Sequence, residues 1–431
     1  MRNGHFCDNN GISRSNPVCD AVIISEQKVN WLVVFAGFFV VFTLYGAYYC
    51  FGVFLKPMLA ELGWTRAVTT GVISVYMLVH GLFSIVMGFL SDRFGPKQVV
   101  GLSIFIVGIG YCLCSQIYEI WHLYIYFGLI VGIGMGASYV PSISAVTKWF
   151  IDKRGLALGI VAAGVGVGQM VFPPLMKNMI TLYGWRMSFL FIGVIVFVIG
   201  IPAALFLSHP RIEEDFSSSG AIGKGIPNSV GGAETQVDRT VWESLGTGLF
   251  WLLLSLFIAQ VFVVSMVTTH LVAHIEDIGV EPILAAGVLT LIGGGGILGR
   301  VIMGGFADKV TNKELLFFCI ISLMFLLFGL NYVRSLWVFY LFSFCFGFSY
   351  GGTLPIITKM SSDFFGVKSA GSIFGVIIFC ATTCGGVGAP LAGYIYDTTG
   401  AYSLAFIIGG IIMSVALIPC FIMPSPDLNR S

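Results

Sequence analysis

Twelve long apolar runs dominate the sequence, and they limit the chain to a fold that a lipid bilayer can surround. A helix needs roughly 20 mainly apolar residues to cross the hydrocarbon core. We place the runs near 31–55, 69–90, 98–116, 121–147, 155–180, 185–207, 247–272, 283–305, 314–333, 336–358, 369–394 and 402–423. With 57% hydrophobic and 10% charged residues, a soluble protein could not hide this much apolar surface. The sequence therefore predicts an all-α integral membrane protein with twelve transmembrane helices.

The second half of the chain repeats the first at an offset of 216 residues. The segment MGFLSDRFGPK, from Met87 to Lys97, returns as MGGFADKVTNK, from Met303 to Lys313. Further downstream the same offset pairs Gly155 with Gly371, Pro174 with Pro390 and Gly184 with Gly400. Secondary transporters are commonly built from such repeats. We therefore predict two pseudo-symmetric six-helix bundles.

A charged segment rich in Gly and Ser separates the two copies and has the composition of a linker. We predict an N-terminal tail over 1–30, bundles over 31–208 and 247–423, a linker over 209–246 and a C-terminal tail over 424–431.

The positively charged residues predict the orientation of the chain, because cytoplasmic loops carry an excess of Lys and Arg. With both termini cytoplasmic, sixteen of the 22 Lys and Arg residues lie inside and one, Arg300, lies within a span. The other five lie outside: Lys56, Arg66, Lys177, Arg186 and Arg334. We expect both termini, with their tails, and the linker in the cytoplasm. We expect the chain itself in a plasma or inner membrane.

Four motifs carry a family resemblance. The pattern G-x-x-x-D-R-x-G-x-K over 88–97 is similar to the signature of the major facilitator superfamily. The segments WFIDKRGLALGIVAAGVGVG (149–168), GWRMSFL (184–190) and LGRVIMGGFADK (298–309) resemble those of monocarboxylate transporters and oxalate/formate antiporters. The resemblance implies a secondary transporter that works by alternating access. It also implies that Arg300 binds the carboxylate of the substrate.

Arg300 also stands out from the residues alone, because a charge inside the bilayer costs several kcal/mol unless it faces a cavity or a partner. No acidic residue lies within a predicted span, and the repeat-related residue is Ser84. A guanidinium can hold a carboxylate by two parallel hydrogen bonds. The alternatives for Arg300 are a snorkelling side chain or a structural ion pair.

The chain departs from the family pattern at three places. Gly296 and Tyr49 occupy the positions of an aspartate and a first-helix lysine of the proton-coupled animal transporters. The second cation of oxalate transporters is replaced by Phe379, Cys380 and Ala381. One buried cation matches a small organic monoanion of the lactate, pyruvate or formate class. An oxalate/formate-type antiporter remains the alternative.

Aromatic and histidine side chains supply the other candidates for the transport site. Tyr49, Tyr139 and Tyr350 combine an apolar ring with a hydroxyl, as suits a small anion, although most aromatic residues in spans only pack. His270 is a candidate for substrate binding, an outer gate or proton coupling. His80 is a candidate for proton coupling, with simple packing as the alternative. His270 has another histidine four residues on but no evident third ligand, so we expect no metal and no cofactor.

Charged residues flank three spans on the predicted cytoplasmic side. The family resemblance makes them a charge-pair lock, and positive-inside topology is the alternative for the cations. These predicted gating residues are Asp92, Arg93, Asp308, Lys309, Lys153 and Arg154.

Several functional classes find no support in the sequence. The net charge of +1 argues against a nucleic-acid partner. Neither an H-E-x-x-H motif, paired intramembrane carboxylates nor a G-x-x-x-x-G-K-[ST] loop is present, so we expect neither an enzyme nor a nucleotide-driven pump. The expected partners are the lipid bilayer, a small organic monoanion, and protons or a counter-anion. A carboxylate sensor without transport is the alternative from another class.

Overall fold

The computed structural model describes residues 17–139, 141–142, 145–146, 154–207, 241–306, 311–365 and 370–424. Every regular element in these ranges is a helix. Ten helical stretches are long and apolar enough to cross a membrane. One of them, Gly159–Phe206, contains two spans that meet at Gly184, and the shorter helix Ile120–Met135 supplies another. The prediction of twelve spans is therefore confirmed.

We number the twelve membrane helices in chain order. They are α1 (Pro17–Tyr49 continued by Phe51–Leu62), α2 (Arg66–Phe94), α3 (Pro96–Cys114), α4 (Ile120–Met135), α5 (154–183), α6 (185–206), α7 (Gly248–Asp277), α8 (Pro282–Phe306), α9 (Asn312–Leu330), α10 (Leu336–Phe365), α11 (Ala370–Gly385 continued by Gly388–Thr399) and α12 (Ser403–Ile422). A short helix, Val241–Leu245, precedes α7. Several helices extend beyond the predicted apolar runs, because a helix continues into the polar layer after its apolar stretch ends.

The 216-residue repeat reappears in the helix boundaries. The members of three helix pairs, α2 and α8, α3 and α9, and α4 and α10, begin 216 residues apart. Two turns repeat as well, because Gly63 and Gly279, and Gly184 and Gly400, all have positive φ angles that favour glycine. The two six-helix halves are therefore structural copies.

One side-chain hydrogen bond is also repeated. The hydroxyl of Tyr124 donates to the carbonyl of Val68 at 2.8 Å, which ties α4 to the start of α2. At the equivalent place in the second half, Tyr340 donates to the carbonyl of Leu284 at 3.0 Å. The same contact therefore holds the same pair of helices in both halves.

In the described residues, the halves pack together mainly through α1 with α7, α2 with α11, and α5 with α8. The α5–α8 crossing is the closest to Arg300, and it depends on glycine. A Cβ on Gly166 would lie 2.9 Å from the carbonyl oxygen of Gly293, and one on Gly293 would lie 2.5 Å from that of Gly166. Backbones that approach this closely place side chains of the two halves within hydrogen-bonding distance of one another.

Candidate functional site

The molecule has two membrane faces, and the site lies between them. The far side is the membrane face where α2 and α8 begin, and the linker side is the face where α6 ends and α7 begins. Arg66 at the start of α2 contacts Asp277 at the end of α7, just before α8, so both helices run from the far side to the linker side. Arg300 lies six residues from the linker-side end of α8.

Arg300 lacks a carboxylate partner among the residues that the structure describes. Its Nη1 atom is fully buried and has no hydrogen-bond partner. Its Nη2 atom donates a long hydrogen bond of 3.4 Å to the hydroxyl of Tyr350, and the guanidinium lies 5.8 Å from the centroid of that ring. A buried cation with an unused donor is costly, so this geometry favours an anionic ligand over a purely structural role.

Tyr350 connects Arg300 to the opposite half. The amide of Gln260 on α7 holds the Tyr350 backbone by donating to its carbonyl at 2.8 Å, and it also bonds to Thr353. The Tyr350 hydroxyl donates to Oε1 of Gln169 on α5 at 3.4 Å. A chain of polar contacts therefore runs from Arg300 in the second half to Gln169 in the first.

Two other predicted tyrosines lie beside this chain of contacts. The phenol groups of Tyr49 and Tyr139 lie near the Arg300 guanidinium. Tyr49 also lines a small cleft between α1 and α7. The structure thus brings together Arg300, Tyr350, Tyr49 and Tyr139, and adds Gln169. We call these five residues the Arg300 cluster.

Ion pairs close the far side between the two halves. Lys177 on α5 donates to Glu276 at 2.6 Å, and Lys56 on α1 lies 2.6 Å from Asp277 and 3.7 Å from Glu276. Arg66 on α2 bonds to Asp277 at 3.1 Å. All three cations come from the first half and both carboxylates from the end of α7, so the pairs hold the halves together. We call these five residues the far-side closure.

The start of α2 makes a second set of contacts with the other half. The carboxylate of Asp397 on α11 accepts hydrogen bonds from the backbone nitrogens of Arg66 and Ala67, at 2.9 and 2.7 Å. It thereby satisfies free N–H groups at a helix N-terminus, where a negative charge is favourable. The Arg66 guanidinium also lies 3.5 Å from the centroid of the Tyr396 ring.

His270 lies next to the far-side closure and away from Arg300. Burial raises the pKa of the Tyr402 phenol well above its usual value, so its hydroxyl keeps its proton. That hydroxyl accepts from Arg66 and lies 3.0 Å from Nδ1 of His270, while Nε2 lies 2.8 Å from the carbonyl of Ala389. The network fits a neutral His270 that donates through Nε2 and accepts at Nδ1. This position favours a gating role over substrate binding.

His80 lies on α2 and is half-buried. Its ring lies 5.8 Å from that of Tyr76, with an angle of 11° between the planes. On the next residue, Gly81, a Cβ would lie 2.9 Å from the ring of Phe379 in the other half. His80 is therefore near the boundary between the halves, and a role in proton coupling remains a prediction.

Most of the predicted linker-side lock lies outside the described residues. This is so for Asp308, Lys309 and Lys153, and for the side chains of Asp92 and Arg154, whose backbones are helical. Arg93 is exposed, and its guanidinium lies 5.4 Å from the centroid of the Phe94 ring.

Two features of the site were not predicted from the sequence. Gln169 is one of them, although a glutamine in an apolar glycine-rich run is unusual. The pairing of Lys56, Arg66 and Lys177 is the other, since these residues stood out only as exceptions to the positive-inside bias. Their signal was present, because Glu276 and Asp277 lie at the same membrane face and can pair with them.

Comparisons with known proteins agree with this architecture. Residues 37–389 match the Major Facilitator Superfamily. Monocarboxylate transporter 13 of Rattus norvegicus is 26% identical over 384 residues, covering 88% of this chain and 85% of the relative. An uncharacterized MFS-type transporter of Escherichia coli, YhjX, is 24% identical over 361 residues, covering 81% and 84%.

A solved structure has the same fold. It is that of a bacterial homolog of the human lysosomal transporter Spinster, in an inward-facing and occupied conformation. It superposes with a TM-score of 0.68 at 15% identity and covers 95% of this chain and 97% of that one. The match over more than half of the chain, together with the repeated six-helix halves, shows that this protein belongs to the Major Facilitator Superfamily of secondary membrane transporters and is not an enzyme.

Proposed function

We propose that this protein transports a small monocarboxylate of the lactate, pyruvate or formate class, and that Arg300 binds its carboxylate group. The observation that carries the proposal is the buried Nη1 donor of Arg300, which lacks a protein partner between the two halves. The names of the relatives, monocarboxylate transporters 12 and 13, agree with this substrate class.

The energetics of the cluster favour a carboxylate ligand. A buried donor without a partner costs about 1–3 kcal/mol, and more when the group is charged. A carboxylate has only acceptors and can occupy two donors of one guanidinium at once. The hydroxyls of Tyr49, Tyr139 and Tyr350 add neutral donors, which can orient the anion without a second charge.

The charge of the cluster distinguishes a monoanion from a dianion. Among the described residues of the cluster, Arg300 is the sole cation. It balances one carboxylate, whereas a dianion such as oxalate would retain an uncompensated negative charge in a low-dielectric site. Exchange of oxalate and formate is therefore the second candidate function. It would use the same site, but the site would then have to balance a second negative charge.

The arrangement of the halves supports alternating access. The far-side closure seals one face, and Arg300 lies on its linker side. By the positive-inside bias we assign the far side to the exterior and both termini to the cytoplasm of a plasma or inner membrane. The energy source is a gradient of protons, with His80 as the candidate carrier, or of a counter-anion.

Uptake into proteoliposomes tests this function. Radiolabelled formate, lactate, pyruvate and oxalate are supplied one at a time, with and without an inward proton gradient. We expect uptake of the three monoanions but not of oxalate, and Arg300→Lys should abolish most of it because a lysine lacks the planar guanidinium. Uptake of oxalate alone, or undiminished uptake by Arg300→Lys, contradicts the proposal.

A matched control separates the site from a general effect of losing a cation. Arg334 at the far side donates to the carbonyls of Asn331 and Val333 and has no part in the cluster. Arg334→Lys should transport like the wild type. Equal amounts of each variant in the liposomes show that folding and insertion are unchanged.

A further inference from the structure

Gln169 carries an unused hydrogen-bond donor in the middle of the boundary between the halves. Its side chain is fully buried on α5, and its Nε2 atom has no hydrogen-bond partner. A second buried glutamine, Gln260 on α7, donates two hydrogen bonds from its Nε2 atom, to the Tyr350 carbonyl and to Thr353. Since buried polar groups are usually satisfied, the unpartnered amide of Gln169 points to a ligand that it can bind.

The hydrogen-bond directions indicate which atom of Gln169 is free. Tyr350 accepts a hydrogen bond from Nη2 of Arg300, so its own proton must go to an acceptor. The oxygen 3.4 Å away on Gln169 is that acceptor. The amide NH₂ then remains as the free end, since the opposite orientation would place N–H groups against the hydroxyl proton.

Arg300 and Gln169 thus present two free donors at the two ends of one short chain of contacts. Nη1 of Arg300 and Nε2 of Gln169 are both buried and both without a partner. Nη1 shares a carbon with Nη2 of Arg300, and Nε2 shares a carbon with Oε1 of Gln169. Because Nη2 and Oε1 each lie 3.4 Å from the Tyr350 hydroxyl oxygen, each free donor is within roughly 6 Å of that oxygen. One donor belongs to the second half of the chain and the other to the first.

We propose that Gln169 is a second anion-binding residue, whose amide N–H donates to the substrate that Arg300 holds by its carboxylate. The bound anion then joins α5 of one half to α8 of the other. When the anion binds, the two long hydrogen bonds of Tyr350 become shorter or break, because the charge-assisted hydrogen bonds to the anion are stronger. This assignment rests on the proposed function of the Arg300 site and extends it to the other half.

Binding of pyruvate to the purified full-length protein, measured by isothermal titration calorimetry, tests the assignment. Gln169→Leu removes the amide at similar volume. It should raise the Kd of pyruvate by roughly tenfold or more, because the lost hydrogen bond has a charged acceptor. Gln169→Asn keeps the amide on a shorter side chain and should also weaken pyruvate binding. It replaces the leucine variant in the test if that variant does not fold.

Two variants distinguish contact with the substrate from support of Tyr350. If Gln169 acts only through the Tyr350 hydroxyl, Gln169→Leu has no further effect in a Tyr350→Phe background. If it contacts the anion, the loss persists in that background. Thr290→Val, which removes the neighbouring 2.8 Å hydrogen bond from α8 to the carbonyl of Met170, controls for the packing of α5 on α8 and should leave the Kd within about twofold.

The outcomes separate this inference from the proposed function. A tenfold loss that persists without the Tyr350 hydroxyl supports a direct contact of Gln169 with the anion. An unchanged Kd in Gln169→Leu, or a loss that vanishes in the Tyr350→Phe background, overturns the assignment of Gln169 alone. Unchanged binding in Arg300→Ala instead overturns the proposed function.

Discussion

Neutralising Glu276 should open the far side by an amount that the ion-pair geometry predicts. Its carboxylate bonds to Lys177 at 2.6 Å, and these two side chains are 9% and 6% exposed. Glu276→Gln keeps an acceptor but loses the charge assistance, about 1–1.5 kcal/mol. The longer contact with Lys56, which is 28% exposed, adds about 0.5 kcal/mol. The closed state should therefore lose about 1.5–2 kcal/mol, or roughly 10- to 30-fold in the closed-to-open ratio.

Single-molecule fluorescence can measure this ratio with dyes at Tyr183 and Tyr332, which are exposed at the far side in different halves. Attachment through unnatural amino acids leaves the native cysteines untouched. The matched control is Glu281→Gln, which makes the same change at an exposed residue of the same face. If Glu276→Gln changes the ratio no more than Glu281→Gln does, the ion pairs do not hold the far side closed.

Two further predictions concern the opposite gate and the core of the second half. Asp92→Asn should slow the transport cycle in proteoliposomes and leave the Kd of pyruvate nearly unchanged, because the linker-side lock changes the balance of conformations without touching the substrate. A large loss of pyruvate affinity would contradict this role of Asp92. Gly295→Ala should lower the melting temperature, because its Cβ would lie 2.2 Å from the carbonyl oxygen of Phe344 on α10. Gly305→Ala should not, because the space around Gly305 is open. Equal effects of the two substitutions would refute the close packing.

The spans, the repeat and the position of Arg300 inside a span could be predicted because each can be read from the sequence alone. A membrane span is a run of neighbouring apolar residues, and a lone cation inside it is visible without a structure. The 216-residue offset already pairs Gly184 with Gly400 in the sequence, and both residues have positive φ angles in the structure. These features need no knowledge of which helices pack together.

The role of Gln169 and the far-side closure depend on tertiary contacts and could not be predicted in the same way. Gln169 and Tyr350 are 181 residues apart, and Lys177 and Glu276 are 99 apart. Periodicity says which residues share a helix face, but not which helix of the other half that face meets. His270 illustrates the same limit, because its bonds to Tyr402 and Ala389 appear only when α11 and α12 pack beside α7.

Thermal stabilisation by pyruvate is the most direct test of the claim that Arg300 binds a monocarboxylate. A ligand present at 100 times its Kd adds about 2.7 kcal/mol to the stability of the state it binds. At that concentration the wild-type protein should melt at a distinctly higher temperature, and Arg300→Ala should show little or no rise. An equal rise in Arg300→Ala would contradict the claim, since pyruvate would then bind without the guanidinium.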